Sequence, residues 1–450
     1  MTMAPESVVR REAAVRAAAE QGLVGAQAPV LGLLDVAGIR GAARELREAF
    51  AFDGVSVQHT FAVKAASLVP VLALLNEEGV GAEVASVGEL ELARAAGVPA
   101  ERIVFDSPAK TMDELRDALA HGIAVNADNP QELDRVDAVV ADLGVGCAPV
   151  GLRVNPQVGG GSIGAMSTAT ATSKFGVALR DEGAEQWVLD AYLLRPWMTR
   201  LHTHTGSQGV ALELMAEGVR AAYELAEKIN AHVGRQQIDT LDIGGGLPVN
   251  FASDEVTPAF AQYARLLRET VPGLFDGRYT LVTEFGRSLL AKQGLIMAYV
   301  EYTKTSGGRR IAVTHAGAQV ATRTVFVPES WPLRVGAYDA DGRPRTTEPL
   351  VQDVAGPCCF AGDLVARERE LPELAPGDLV ALYDTGAYYF STHFHYNSLP
   401  RPAVYGYAVS DAGVVTFAPV RSAQTVAEVV AESGAAQATS LLGLTGRPSS

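Results

Sequence analysis

Apolar and polar positions follow two textures along this chain. From about residue 29 to residue 290, short apolar runs recur, each followed by a turn and a longer stretch with helical spacing. A first strand is expected at 29–34, and Asp35 caps a helix running to about Phe50. Eight further runs fall at 60–63, 81–85, 103–105, 123–125, 149–154, 199–204, 240–243 and 280–283. Amphipathic stretches such as 87–96, 112–121 and 211–233 lie between them. Strand and helix in regular alternation predict a parallel sheet or a (β/α)8 barrel. After about residue 290 the segments at 294–305, 310–314, 379–383, 403–409 and 414–419 are β-rich. Turns such as Ser306-Gly307-Gly308 and Asp341-Gly342 separate several of them.

The fold class expected is therefore α/β: a (β/α)8 TIM-like barrel with a second, all-β C-terminal domain. The expected organisation is an N-terminal arm and strand at 1–35, a barrel at 36–292, a β-sandwich or β-barrel domain at 293–420 and a peripheral tail at 421–450. The 29–34 strand is expected to join the β domain. The Ala-, Arg- and Glu-rich start reads as a surface helix or a loose arm.

Composition narrows the partners. Hydrophobic residues make up 48% of the 450 positions and charged ones 20%, enough apolar material for two cores. A net charge of −15 argues against nucleic acid or an anionic membrane as the main partner. It leaves room for an anionic cofactor, since backbone amides and one arginine suffice to hold a phosphate. Three cysteines, Cys147 and the adjacent Cys358 and Cys359, do not make a disulfide framework, so a reducing, cytoplasmic setting is expected. No apolar run approaches a membrane span, and no signal-peptide apolar region is evident.

Barrel chemistry sits at the C-terminal ends of the strands, and the candidate residues fall there. Lys64 ends the run at 60–63. A buried lysine is costly unless it is paired or covalently used, and apolar burial would lower its pKa and free the amine as a nucleophile. A snorkelling lysine is the plainer alternative. His204 closes the run at 199–204, and Gly244-Gly245-Gly246 follows the run at 240–243, where glycines let backbone amides approach a phosphate. Glu284 ends the run at 280–283, and Arg287 either holds a phosphate or pairs with Glu284. His202 and His204 share a strand face, but no carboxylate or cysteine near them in sequence completes a metal site, and no metal is expected.

In this order, the segments resemble the fold-type III decarboxylases that use pyridoxal phosphate, the ornithine and diaminopimelate decarboxylase family. The resemblance runs from about Pro29 to Tyr407. It is carried by Phe61-Ala62-Val63-Lys64-Ala65, Gly81-Ala82-Glu83-Val84, Leu152-Arg153-Val154-Asn155-Pro156, Ser173-Lys174-Phe175-Gly176 and His204-Thr205-Gly206-Ser207. The triple glycine, Glu284-Phe285-Gly286-Arg287, Gly356-Pro357-Cys358-Cys359 with Asp363, and Gly386-Ala387-Tyr388 extend it. The resemblance implies pyridoxal phosphate bound covalently by Lys64, with His204 stacked on its ring. Ser207, Gly244, Gly245, Gly246, Arg287 and Tyr388 would hold the phosphate, and Glu284 would face the pyridine nitrogen. It implies a homodimer with shared active sites, in which Cys359 reaches the partner's site and helps return a proton.

The departures lie mostly where the substrate would bind. Phe285 replaces a proline usual in the family. Phe360 stands where an acidic residue commonly meets the substrate's distal amine. Arg323 falls at the place of the substrate-carboxylate arginine, but the proline and tyrosine that follow it are replaced by Thr324 and Val327. Arg323, Phe360 and Asp363 are thus the expected substrate-binding residues, with Asp363 a possible substitute for the missing charge. The expected activity is decarboxylation of an amino acid or a derivative, with an altered substrate pocket. A racemase or another α-carbon lyase on the same cofactor is the runner-up, disfavoured by Glu284, because the racemases typically place an arginine at the ring nitrogen. A non-catalytic cofactor-binding protein is a third reading, against which Cys359 and Glu284 both speak.

Overall fold

A computed structural model describes residues 5–144, 146, 148–442 and 444. Cys147 lies outside the described residues. The strands are β1 (Val30–Asp35), β2 (Ser56–Ala62), β3 (Gly81–Val84), β4 (Ile103–Phe105), β5 (Ala124–Ala127), β6 (Val150–Asn155), the two-residue β7 (Val177–Ala178), β8 (Met198–Thr203), β9 (Thr240–Asp242) and β10 (Thr280–Phe285). Then follow β11 (Gly294–Ser306), β12 (Arg309–Thr314), β13 (Val335–Tyr338), β14 (Pro349–Ala355), β15 (Leu364–Pro372), β16 (Leu379–Tyr383), β17 (Ala403–Val409) and β18 (Val415–Arg421).

Strands β2, β3, β4, β5, β6, β8, β9 and β10 pair in parallel, and β10 returns to β2. The eight strands therefore close into a barrel, as the alternation predicts. Each apolar run observed in the sequence within a residue or a few of its predicted ends is one staff of that barrel. Helices between them start on the signals expected of them. Asp35 caps the Val36–Ala49 helix through Gly38, and Thr111 with Glu114 forms a capping box on Met112–Ala120.

The register decides which side chains enter the barrel. Strand side chains alternate, so Glu284 and Phe285 at the end of β10 point opposite ways. Phe285 is wholly buried against Phe50, Phe260 and Tyr263, with ring centroids 5.2–6.2 Å away. This residue, a departure from the family, thus belongs to the packing between strand and helices. The neighbouring hydroxyls lock the same edge: Thr60 Oγ1 donates to the Thr283 carbonyl at 2.8 Å.

The chain divides into two compact units. The first comprises residues 1–9, 34–295 and 383–391; the second comprises 10–33, 296–382 and 392–450. The barrel unit thus takes back a short segment, 383–391, from well down the chain. Tyr388 N–H donates to the Ala65 carbonyl at 2.7 Å and Ser391 Oγ to the Lys64 carbonyl at 2.8 Å, which fixes that segment beside Lys64.

In the second unit the sheet runs β15-β14-β12-β11-β1-β17-β18, with β16 paired to β11 and β13. Strand β1 sits between β11 and β17, so a strand from before the barrel completes the later sheet. This unit is not purely β. The Ala318–Phe326 helix lies between β12 and β13, with Ala318, Gln319, Val320, Ala321, Thr324 and Val325 buried. Near the start of the chain, the Glu6–Glu20 helix buries Ala14, Val15 and Ala18, so it is packed rather than loose. Among the described residues no helix is long and apolar enough to cross a membrane.

Candidate active site

The polar residues of the barrel gather at the C-terminal ends of its strands. Lys64 lies in a single helical turn, Val63–Ala65, directly after β2. Its side chain is 46% open to solvent, and its Nζ lies 2.5 Å from Glu83 Oε2 on β3. The expected low-pKa amine is corrected here. Burial alone would depress the lysine, but Glu83, Tyr388 and Glu284 hold its pKa above the ordinary value. Glu83 itself is pushed up by burial, against the pull of Lys64. The lysine thus donates to a carboxylate that favours its charged form.

That arrangement gives a pH signature. The Lys64 amine must lose its proton before it can attack a carbonyl, and Glu83 makes that harder. In Glu83→Gln the opposing charge is gone, and the lysine's pKa should fall by about 1–3 units. The pH midpoint for the rate of covalent cofactor loading should therefore move down, as stopped-flow absorbance would show. A midpoint that stayed or moved up would remove Glu83 from this role.

His204 follows β8. Its Nδ1 accepts a hydrogen bond from Gly245 N–H at 3.1 Å, which leaves its proton on Nε2. Burial first, then the positive charges of Arg153 and Lys64, hold its pKa well below the ordinary value, so the ring is neutral. Gly244 and Gly246 have φ of 66° and 100°. A Cβ on Gly244 would strike His204, one on Gly245 the Glu284 carbonyl and one on Gly246 the Gly206 carbonyl. Only glycine fits these three positions. Ser207 lies beside this turn, its N–H donating to the Met166 carbonyl at 2.9 Å.

Glu284 ends β10 and is 5% exposed. Its Oε1 has no hydrogen-bond partner among the described residues. Burial first, then Asp242, Asp106 and Glu83, push its pKa well above the usual carboxylate range, with Lys64 opposing. Arg287, 4% exposed, opens the short helix after β10 and packs against the Tyr388 ring, 4.3 Å from guanidinium carbon to ring centroid. Tyr388 adopts φ of 67°, a strained conformation for a bulky residue. Arg287 thus faces Tyr388.

The barrel brings two further residues to this cluster, Asp106, which the motifs do not single out, and His202, considered from the sequence only as a metal ligand. Asp106 follows β4, and its Oδ2 lies 2.9 Å from His202 Nδ1. His202 is wholly buried, and its Nε2 lies 3.7 Å from Glu284 Oε2. Carboxylates absent from the neighbourhood of His202 in sequence therefore reach it from other strands, and the three groups present ligand atoms within 4.8 Å of one another. The signal available in the sequence is slight: an acidic residue directly after a short apolar strand, as at Asp106.

The remaining predicted residues belong to the second unit. Cys359 is exposed, and its N–H donates to Asn397 Oδ1 at 2.8 Å. Its neighbour Cys358 is buried, 3.8 Å from Gln319 Oε1, and burial pushes its thiol up to about 11. Phe360 stacks on Phe326 at 5.4 Å and meets Tyr396 edge-on at 5.8 Å. Phe394 closes the ring of four, 5.5 Å from both Phe326 and Tyr396. Arg323 lies over Trp331, 5.1 Å from its ring centroid. Asp363 is tied to the backbone around it. It is 3% exposed, and its two oxygens accept from Ala318 N–H and Cys358 N–H, each at 2.6 Å. It fastens the loop under the cysteines, each oxygen already bonded to a backbone N–H.

These residues fit pyridoxal phosphate. The glycine turn is a cradle that any Cβ would fill, Glu284 offers a buried unpartnered oxygen to a ring nitrogen, and Lys64 offers an amine. Comparison with known proteins agrees. The family model for the pyridoxal-dependent decarboxylase pyridoxal-binding domain matches residues 36–291. A diaminopimelate decarboxylase of Pseudomonas aeruginosa is 36% identical over 345 residues, covering 76% of this chain and 79% of that protein. One from Pseudomonas fluorescens is 35% identical over 385 residues, covering 85% and 87%. Among solved structures, the diaminopimelate decarboxylase of M. jannaschii in complex with L-lysine superposes with a TM-score of 0.81 at 26% identity, covering 93% of this chain and 94% of that one. The lysine/ornithine decarboxylase of Vibrio vulnificus with putrescine gives 0.71 at 25% identity, covering 88% and 97%. With that much of the chain matched, barrel and second unit alike, this protein belongs to the pyridoxal-dependent decarboxylases and is a pyridoxal-phosphate-dependent carboxy-lyase acting on an amino acid.

Proposed function

We propose that the substrate is an amino acid or derivative whose distal end is apolar, aromatic, or masked as an amide or acyl group, and that meso-diaminopimelate, lysine and ornithine are poor substrates. The observation that carries this is the setting of Phe360. It stands beside Cys359 within a cluster of four aromatic rings, and the nearest candidate carboxylate, Asp363, is committed to two backbone N–H groups. A ring cannot accept the charge-assisted hydrogen bonds a carboxylate offers an ammonium. A distal amine buried there without a partner would forfeit roughly 1–3 kcal/mol, more if charged.

Bound pyridoxal phosphate supplies an electron sink for the pair left behind when a carboxylate departs as carbon dioxide. The protein's own groups do the rest. Lys64 carries the cofactor, and Glu83 takes the proton its amine must shed. Neutral His204 stacks on the ring without adding charge. Ser207, the Gly244–Gly246 turn, Arg287 and Tyr388 hold the phosphate. Glu284 sets its negative charge at the ring nitrogen, which favours decarboxylation over racemisation. Arg323 receives a substrate carboxylate. Cys359, the accessible thiol of the two, returns a proton to the product. In this reading two chains form a homodimer, and Cys359 and Phe360 serve the partner's Lys64. The free thiols Cys358 and Cys359 suit a cytoplasmic setting.

Steady-state kinetics on the wild type and on Phe360→Glu test the substrate class. The wild type should favour aromatic amino acids, or diamino acids acylated on the distal amine, over the three free diamino acids. Phe360→Glu should raise kcat/KM for a diamino acid by about tenfold or more. Efficient turnover of diaminopimelate by the wild type, with no gain in the variant, would overturn it.

A further inference from the structure

The Asp106–His202 pair has no part in the roles set out above. It lies inside the barrel, against the back of Glu284. His202 has no exposed surface, and neither of its ring nitrogens is in line for a hydrogen bond among the described residues. Nδ1 is 2.9 Å from Asp106 Oδ2, and Nε2 is 3.7 Å from Glu284 Oε2. One imidazole is thus set between two buried carboxylates contributed by different strands.

The chemistry of that arrangement is restrictive. A neutral imidazole has one N–H and one lone pair. Facing two ionised carboxylates, it would turn the lone pair on one of them. With a proton on each nitrogen it offers an N–H to both. The rest of the layer makes the position of that proton consequential. Glu284 is surrounded by Asp242 from β9, Glu83 from β3 and Asp106 after β4, with Lys64 the positive group that opposes them. Arg153 from β6 and His204 also face this layer. Crowded among acids and buried, Glu284 would take up a proton if no other group held it. A neutral Glu284 would be a poor partner for a protonated ring nitrogen.

We propose that Asp106 and His202 are positioning residues that keep the proton off Glu284, so that its carboxylate stays charged towards the pyridine nitrogen. The inference rests on the reading of Glu284 as the ring's partner. Asp106 Oδ2, 2.9 Å from Nδ1, sets a negative charge beside the imidazole on the side away from Glu284. The low pKa of Asp106, which His202 and then Arg153 and Lys110 hold down against burial, is what an anchoring anion requires. His202 would therefore touch neither substrate nor cofactor and would act only through Glu284.

The test uses holoenzyme loaded with pyridoxal phosphate isotopically labelled at its ring nitrogen, whose NMR signal reports protonation there without turnover. Glu284→Gln should move the signal towards the unprotonated position. His202→Gln should move it the same way, Asp106→Asn should do so to a lesser degree, and the double variant His202→Gln/Glu284→Gln should go no further than Glu284→Gln. Circular dichroism and cofactor content confirm that each variant is folded and loaded, and Asp106→Asn carries the test should His202→Gln fail to fold. A signal that moves in Glu284→Gln but stays put in His202→Gln and Asp106→Asn overturns the proposal alone. A signal unmoved by Glu284→Gln overturns both the proposal and the reading it rests on.

Discussion

Replacing Glu284 with glutamine is expected to slow decarboxylation by about two to three orders of magnitude, the scale of losing one preorganised electrostatic group, about 3–4 kcal/mol. Glutamine keeps the shape of the side chain and removes the charge. The residue is 5% exposed, so water cannot replace what is lost. Its Oε1 has no partner among the described residues, which leaves it available to the ring nitrogen. Single-turnover measurements at saturating cofactor would isolate the chemical step. A rate unchanged under those conditions would remove the main reason for preferring loss of carbon dioxide to racemisation in this site.

Mixing two impaired variants is expected to restore activity. Lys64→Ala removes the cofactor's attachment, and Cys359→Ala removes the thiol proposed to serve the partner's site. A heterodimer of the two has one site with both residues intact. Random exchange of subunits should recover about a quarter of wild-type activity, since half the dimers are mixed and half their sites are whole. Activity assays after subunit exchange, with sedimentation to establish the dimer, check this. Fully active monomers, or no recovery from dimers shown to have exchanged, would show that each chain completes its own site.

Much of the barrel is legible in the sequence because its strands are short apolar runs cut by turns and helix caps. The 103–105 run coincides with β4, and Asp35 caps the helix it was expected to cap. The second unit is harder to read. Strand β14 mixes exposed Pro349 and Val351 with buried Gln352 and Asp353, so its alternation does not follow hydrophobicity. The helix at Ala318–Phe326 is short, with a kink at Ala321 that weakens its periodicity. In the site, the residues that stand inside recognisable motifs are legible: Lys64, His204, the glycines, Glu284 and Arg287. What escaped were relations across the barrel. Asp106, His202 and Glu284 lie 178 positions apart from first to last, and nothing local marks them as neighbours. The backbone bonds of Asp363 were equally hidden, because an acid near a cysteine motif does not show in sequence which N–H groups it meets.

The most direct test of the whole account is where the cofactor attaches. Wild-type protein loaded with pyridoxal phosphate should absorb in the visible range. Borohydride reduction followed by peptide mapping should then find the label on Lys64, the residue that lies beside Glu83 at the end of β2. Label on a different lysine of fully loaded protein would contradict it.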